Sequence, residues 1–403
     1  MTPRHQRPLA RRKLLVALGG MVVAAPVAAA VAPHALAEVG ADDAAPEAQA
    51  AGGLPLTIVN GTGTFGNADV HVYIVGNVDG RQVRVTPEGT VSPVALSDNG
   101  ADGYTDYAIG LAGGGGETRL NLPHLSGRIY VSLGEKLKFK VVEDGAGNAA
   151  LQYPAGWVES DPNYGVLHDC AEFTYNSAGM FCNTTMVDMF SVPLAIRLTG
   201  ARDQTTGTVR PGGRTAVFDA VRGVEEFAPL VVDDTRVIAP GHGLDAGLFP
   251  KDYLAPYVDE VWSTYTGKDL RITTNAGTFT GRVRGDRLTF DGPAQVSFAK
   301  PSTRDVLFCD GNLAAPNDGT TGPVAAVLGA GFNRSTLVSS ADQPTTDPAT
   351  FYGTALTNHY AKAVHAATED GRAYGFAFDD VADFASYIQD TAPTGLRLTL
   401  GAF

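Results

Sequence analysis

The sequence predicts a mainly β protein with an α+β segment inserted into it. Three observations point that way. From residue 54 to about residue 200, short runs of alternating apolar and polar residues are separated by Gly, Asn and Asp clusters, the pattern of a β-sandwich or barrel. Beyond residue 200 the apolar spacing lengthens towards helical periods. Near the C-terminus the alternation returns. Glycine is abundant, at 48 residues, and charged residues make up only 18%, which suits a β-rich protein with many turns.

The first 37 residues stand outside this pattern. Arg4, Arg7, Arg11, Arg12 and Lys13 precede an apolar stretch, and Ala35-Leu36-Ala37 supplies the small-x-small site that a signal peptidase needs. Gly19, Gly20 and Pro26 interrupt the stretch, which is less hydrophobic than a retained transmembrane helix. Residues 1–37 therefore read as a signal peptide, and the protein as secreted and extracellular. The Arg11-Arg12 pair is compatible with either twin-arginine or general export. Residues 38–53, rich in Ala, Gly and acids, read as a disordered linker.

Order is expected from residue 54. Residues 56–59 and 71–75 read as strands, the second with clear alternation. Further strands are expected over 81–91, 117–122, 127–133 and 136–142. Helical spacing is weak over 215–222. Over 252–265 it is clear, with Tyr253, Leu254, Tyr257, Val258, Val261, Trp262 and Tyr265 in one stripe. Strands follow at 270–274 and 278–290, then helices at 322–328 and 349–368. Residues 374–378 and 396–400 read as closing strands. The implied organisation is a β lobe over 54–200 completed by 370–403, with a mixed α/β lobe over 201–369 between.

Charge narrows the partners. The full chain carries −13, and loss of residues 1–37 removes five basic residues and no acidic ones, leaving 25 Lys+Arg against 43 Asp+Glu. Such a surface repels nucleic acid and anionic lipid and leaves neutral polymers such as polysaccharides as partners. Acidity serves solubility equally well. The three cysteines are an odd number. Cys170 and Cys182 flank an expected hairpin and form the best candidate pair, with Cys309 left over. No C-x-x-C and no His/Cys cluster has metal-site spacing, so no metal and no organic cofactor is expected.

The most informative segment runs from Asp169 to Ile196. Residues 171–176 read as a strand, 176–179 as a turn and the following residues as a return strand. On an extended strand Glu172, Thr174 and Asn176 share one face, and Phe173 and Tyr175 the other. An acid, a hydroxyl and an amide in line suggest a wet cleft. Asp188 follows between Val187 and Met189. Glycoside hydrolysis needs two carboxyl groups in different protonation states, one to protonate the leaving oxygen and one to activate water or attack the sugar. Glu172 and Asp188 are the candidate pair, though spacing alone is a weak signal in a chain with 43 acids.

The segments AEFTYN and MVDMFSVPL resemble the acidic-cleft region of the thaumatin fold. Leu56-Thr57-Ile58-Val59-Asn60 resembles that fold's first strand, and Tyr374 to Asp380 with the last strand resembles its closing segment. The long middle insertion, with FCNTTMVDMF and DVLFCDGNLAAP, resembles glycoside hydrolase family 64, the laminaripentaose-producing β-1,3-glucanases, over roughly residues 54–403. The resemblance implies a thaumatin-like β lobe and a mixed α/β lobe enclosing a wide groove. It implies an inverting mechanism with Glu172 as general acid and Asp188 as general base. Thr174, Asn176 and Thr185 match positions lining sugar subsites. Phe181 stands where relatives carry Trp, which leaves a smaller stacking face without an N–H donor. The expected substrate is β-1,3-glucan, as in laminarin or curdlan, cut to laminari-oligosaccharides with the pentaose foremost, by a monomer that binds neither nucleic acid nor membrane.

Two other readings compete. Many thaumatin-like proteins bind glucan without cutting it. A hydrolase of another wall glycan would leave laminarin intact. Other residues have plain explanations. Tyr153, Trp157 and Tyr164 read as packing residues before sugar platforms, and Trp262 as core. Asp379 and Asp380 could add charge to the groove or cap a turn. His359 and His365 lie six apart on one expected helix, off any shared metal-binding face. The four glycines at 113–116 precede no Lys-Ser/Thr and read as a loop. No G-x-S-x-G elbow appears.

Overall fold

The computed structural model describes residues 53–403, so the expected signal peptide (1–37) and all but the last residue of the expected linker (38–53) lie outside the described residues. The described chain is mainly β, with several sheets and a few helices.

Two sheets form a sandwich. The five-stranded sheet has the order Asp203–Thr206, Leu194–Thr199, Gly395–Leu400, Leu54–Asn60, Thr118–Leu122. The first strand pairs in parallel with the last, Leu56 opposite Leu396 and Ile58 opposite Leu398. The second sheet runs Tyr387–Asp390, Gly179–Thr184, Leu167–Asn176, Leu125–Leu133, Val70–Val78, Arg81–Val85, Val91–Pro93, with Ile109–Gly110 beside Val70–Val78. Alternation decides what fills the space between them. Leu56, Ile58, Leu396 and Leu398 from one sheet meet Val72, Ile74, Ile129, Val131 and Phe173 from the other in a single buried cluster. The strand Asp203–Thr206 carries the sandwich past residue 200, because its backbone pairs with Leu194–Thr199.

The inserted lobe has its own core. A sheet of Val296–Ala299, Arg287–Asp291, Gly277–Arg284, Leu270–Thr274 and Asp342–Gln343 packs against the helices Ala255–Gly267 and Gly322–Asn333. On the first helix Tyr257, Val258, Val261, Trp262 and Tyr265 are all buried, so these residues of the expected stripe are the packed face, while Tyr253 and Leu254 are buried just before the helix begins. Burying such a stripe is what stabilises a helix of this length, which is marginal alone. No helix among the described residues is long and apolar enough to cross a membrane.

Several expected elements come out differently. The run 81–91 is a hairpin, Arg81–Val85 and Val91–Pro93, turned at Thr86-Pro87-Glu88-Gly89. Of 136–142 only Lys140–Glu143 is a strand, paired with Ala149–Gln152. The helix expected over 349–368 is confined to His359–Ala367, because the Asn358 side chain caps it by accepting from Ala361 N–H at 3.0 Å. The strand expected over 374–378 is a compact loop, since Asp379 accepts from Gly375 N–H at 2.9 Å and draws the segment inward.

None of the three cysteines forms a disulfide, and all are buried. The expected Cys170–Cys182 pair is excluded by register. Phe173 lies opposite Cys182, so Cys182 points into the sandwich core while Cys170, on the strand's other face, packs with Tyr73 and Tyr130.

Candidate active site

Glu172 stands on Leu167–Asn176, on the face turned away from the sandwich core. Strand register surrounds it. Arg128 lies directly opposite on one neighbouring strand and Asn183 on the other. The guanidinium clamps one carboxylate oxygen, with Nε donating to Oε1 at 3.0 Å and Nη2 at 2.8 Å, while Asn183 Nδ2 donates to Oε2 at 3.3 Å. The Glu172 and Arg128 side chains are only 16% and 15% exposed, so this is a partly desolvated, charge-assisted pair. Burial works against the Arg128 charge. Tyr130, Glu172, Cys170 and Asp188 outweigh it, and its pKa stays well above the ordinary value.

Two residues along, Thr174 faces Ser126 on one side and Phe181 on the other, and the two hydroxyls share a hydrogen bond of 2.8 Å. Phe181 in turn faces Gln389. Asn176 ends the strand, and its Oδ1 accepts from Ala178 N–H at 2.8 Å, which fixes the hairpin turn. Gly179 completes that turn at φ 125, where a Cβ would sit 2.2 Å from the Asp390 carbonyl. At about 3.3 Å per residue, Asn176 lies roughly 13 Å along the strand from Glu172. One half-buried face, turned away from the core, therefore presents an acid, a hydroxyl, an aromatic ring and an amide in sequence.

Asp188 arrives by another route. The loop after Gly179–Thr184 leaves the sandwich and is tied to the 374–378 loop and to the inserted lobe: Met186 N–H donates to the Tyr374 carbonyl at 2.9 Å, Tyr360 Oη donates to the Met186 carbonyl at 2.6 Å, and Ala239 N–H donates to the Asp188 carbonyl at 3.0 Å. The Asp188 carboxylate meets His242 Nε2 at 2.8 Å, with side chains 11% and 12% exposed. Asp188 lines one cavity with Arg128, Tyr130, Trp157, Cys170 and Thr185. Arg128 is thus common to both carboxylates, ion-paired to Glu172 and sharing the cavity with Asp188. Thr185 sits beside Asp188 and accepts from Val187 N–H at 3.4 Å.

A buried anchor holds the two segments together. Asp169, on the Glu172 strand, accepts from Cys170, Ser191 and Val192 N–H at 3.0, 2.9 and 3.2 Å. It ties that strand to the chain just beyond Asp188. Burial pushes its carboxyl up to about 7, even with those three donors. His168 beside it is driven down to about 3, by burial first and the Arg236 charge second.

The structure therefore brings Glu172, Thr174 and Phe181 onto one face, and Asp188 and Thr185 into an adjoining cavity through Arg128, with Asn176 at the hairpin end. Sequence reasoning missed Arg128, Asn183 and His242. Arg128 had a signal, being the one charged residue inside the strand-like run 127–133. Asn183 and His242 had none beyond register and tertiary contact. Trp157 is 8% exposed and packed as expected, but what it packs on is the His242 ring. Asp379 and His365 are buried partners of one another. Among the described residues, no group of three or more His, Cys, Asp and Glu side chains could hold a metal ion.

Residues 52–400 match a family described as Beta-1,3-glucanase, Glyco_hydro_64. The glucan endo-1,3-beta-glucosidase of Cellulosimicrobium cellulans is 35% identical over 377 residues, which cover 89% of this chain and 67% of that one. A crystal structure of a laminaripentaose-producing beta-1,3-glucanase in complex with laminaritetraose superposes with a TM-score of 0.78 at 36% identity, covering 87% of this chain and 98% of that one. A beta-1,3-glucanase domain from Clostridium beijerinckii superposes with a TM-score of 0.77 at 28% identity, covering 88% and 100%.

Proposed function

Because this chain belongs to glycoside hydrolase family 64 and is a β-1,3-glucanase, we propose that it cleaves β-1,3-glucan with inversion, using Glu172 as general acid and Asp188 as general base. The observation that carries the assignment is the shared neighbourhood of Arg128, ion-paired to Glu172 and lining one cavity with Asp188. Asp188 takes a proton from a water whose oxygen attacks the anomeric carbon. The glycosidic C–O bond breaks, its electron pair stays with the leaving oxygen, and Glu172 protonates that oxygen. The Glu172 anion so formed finds Arg128 already in place as counter-charge. Exchange with solvent then resets both carboxyls.

Thr174, Asn176, Phe181 and Thr185 bind successive sugars, the hydroxyls and amide by hydrogen bonds and Phe181 by ring contact. We read the sandwich as thaumatin-like, the enzyme as secreted, and laminarin and curdlan as substrates. The pentaose is the expected main product, by analogy with the laminaripentaose-producing relative. The binding-only alternative is set aside, since membership of the family makes the chain a glycoside hydrolase.

The test is product analysis on laminarin with wild type, Glu172→Gln and Asp188→Asn. Wild type should release oligosaccharides whose new reducing ends appear first as the α-anomer by NMR. Both variants should retain curdlan binding and lose at least about 10²-fold in kcat. A β-anomer as first product would exclude inversion, and full activity in either variant would remove that carboxyl from the chemistry.

A further inference from the structure

Asp188 is held at two points by one short element. The Ala239 N–H donates to its backbone carbonyl at 3.0 Å, and three residues later His242, on the helix Pro240–Asp245, reaches its carboxylate at 2.8 Å. The imidazole is itself clamped. Trp157, from the segment before the Glu172 strand, stacks on one face with centroids 4.4 Å apart and planes at 24°. Phe308, from the helix Thr303–Phe308 of the inserted lobe, meets the ring at 82° with centroids 5.5 Å apart. Gly241 permits that approach, for a Cβ there would already stand 3.0 Å from the Phe308 ring. A side chain fixed on three sides has little rotamer freedom, and its partner inherits that order.

We propose that His242 is the positioning residue of the catalytic base. The inference rests on Asp188 being that base. An ionised carboxylate can only accept, so Nε2 donates to Oδ1. One oxygen is thereby fixed, and the cavity that Asp188 lines is where the carboxylate meets the attacking water. His242 does not exchange a proton with substrate. It sets the angle at which Asp188 meets the water, and it links that angle to both lobes through Trp157 and Phe308.

The experiment is steady-state kinetics on laminarin with the full chain carrying His242→Phe, His242→Asn and His242→Gln, beside Asp188→Asn and Glu172→Gln. Phe keeps the ring between Trp157 and Phe308 but has no donor. Asn has a donor that stops short of Oδ1. Gln has one that reaches it. The expected result is a fall in kcat of roughly 10²-fold for Phe and Asn, with KM within about threefold of wild type. Gln should recover at least about tenfold over Asn, and His242→Phe should add nothing to Asp188→Asn, as expected for residues acting as one unit.

Wild-type kcat in the Phe variant would overturn the proposal. Equal kcat in Asn and Gln, falling in step with Tm, would also overturn it by showing a structural role. If Phe impairs folding, the Asn–Gln contrast alone decides. An active Asp188→Asn would instead break the underlying assignment, whereas an inactive Asp188→Asn beside an unimpaired His242→Phe would sink only the positioning role.

Discussion

Asp188 meets His242 at 2.8 Å, and Asp379 meets His365 at the same 2.8 Å, but the two pairs have different surroundings. Asp379 is fully buried, and it also accepts from Arg334 Nη2 at 2.9 Å and from Gly375 N–H at 2.9 Å. Arg334 is in turn enclosed by the rings of Phe351, Phe376 and Phe384. This cluster staples the 374–383 loop to the helix His359–Ala367. Asp188 meets His242 with its side chain 11% exposed and lines a cavity. A carboxylate–histidine contact is therefore no mark of catalysis by itself. What separates the two is access: Asp379 is sealed from solvent, whereas Asp188 lines a cavity that a substrate or water can enter.

The sharpest way to break this comparison is to truncate both acids. Asp379→Ala leaves the Arg334 charge buried without its partner and should cost about 3–5 kcal/mol of stability, with little change in kcat at temperatures where the protein stays folded. Asp188→Ala should do the opposite, lowering kcat by about 10³-fold at the smaller stability cost of about 1–3 kcal/mol expected for losing one buried hydrogen-bond partner. Urea titration and laminarin turnover on the two variants measure both quantities. An Asp379→Ala protein that is stable but inactive would place the buried cluster in the chemistry.

The buried pair should also show itself through pH. Burial lowers the pKa of His365, but the Asp379 carboxylate more than reverses this, so the net shift is upward from 6.5. Burial raises the Asp379 carboxyl, but His365 and Arg334 outweigh it, so the net shift is downward from 3.8. A raised histidine gives stability that is full below 6.5 and lost as pH rises through its folded value. A depressed carboxyl gives stability that is full above 3.8 and lost as pH falls through its folded value. Both contributions are complete only between those limits. The Tm gap between wild type and Asp379→Asn should thus be widest from about pH 4 to 6.5 and narrow on either side. A gap that stays constant with pH would show that the pair does not titrate as a unit.

A smaller effect is expected on the half-buried face beyond Glu172. Phe181 lies between Thr174 and Gln389 in the sheet register. Phe181→Trp enlarges the stacking face and adds an N–H donor, worth about 1 kcal/mol, or roughly a fivefold fall in KM for laminarin with kcat retained. An unchanged KM would mean that sugars do not stack at this position.

Residues whose role depends on local pattern were legible in the sequence. The alternation of 171–176 placed Glu172, Thr174 and Asn176 on one face, and the stripe from Tyr257 to Tyr265 identified a helix and its buried side. What depended on partners far along the chain was not legible. The contacts of Glu172 with Arg128 and Asn183 follow from strand register, which is set by the whole sandwich core. His242 reaches Asp188 across 54 positions of sequence. The 374–378 run alternates like a strand, but a buried Asp379 with three donors outweighs that preference, as tertiary context often does.

The cysteines give the smallest predicted effect, a null one. Flanking a hairpin suggested a disulfide, but alternation along the strands sets the faces. Cys170 shares its face with Glu172 and packs against Tyr130, while Cys182 lies opposite Phe173 and points between the sheets. Bonding them would require a three-residue slip of Gly179–Thr184 against Leu167–Asn176, an odd number that exchanges the two faces. That slip would turn Met180 and Cys182 out of the core and carry Asn183 away from Glu172. Alkylation after denaturation without reductant should label all three thiols, and dithiothreitol should leave Tm unchanged. A single labelled thiol together with a Tm that falls on reduction would show that the hairpin register is different. The pairing of Glu172 with Arg128 and Asn183 would then have to be redrawn with it.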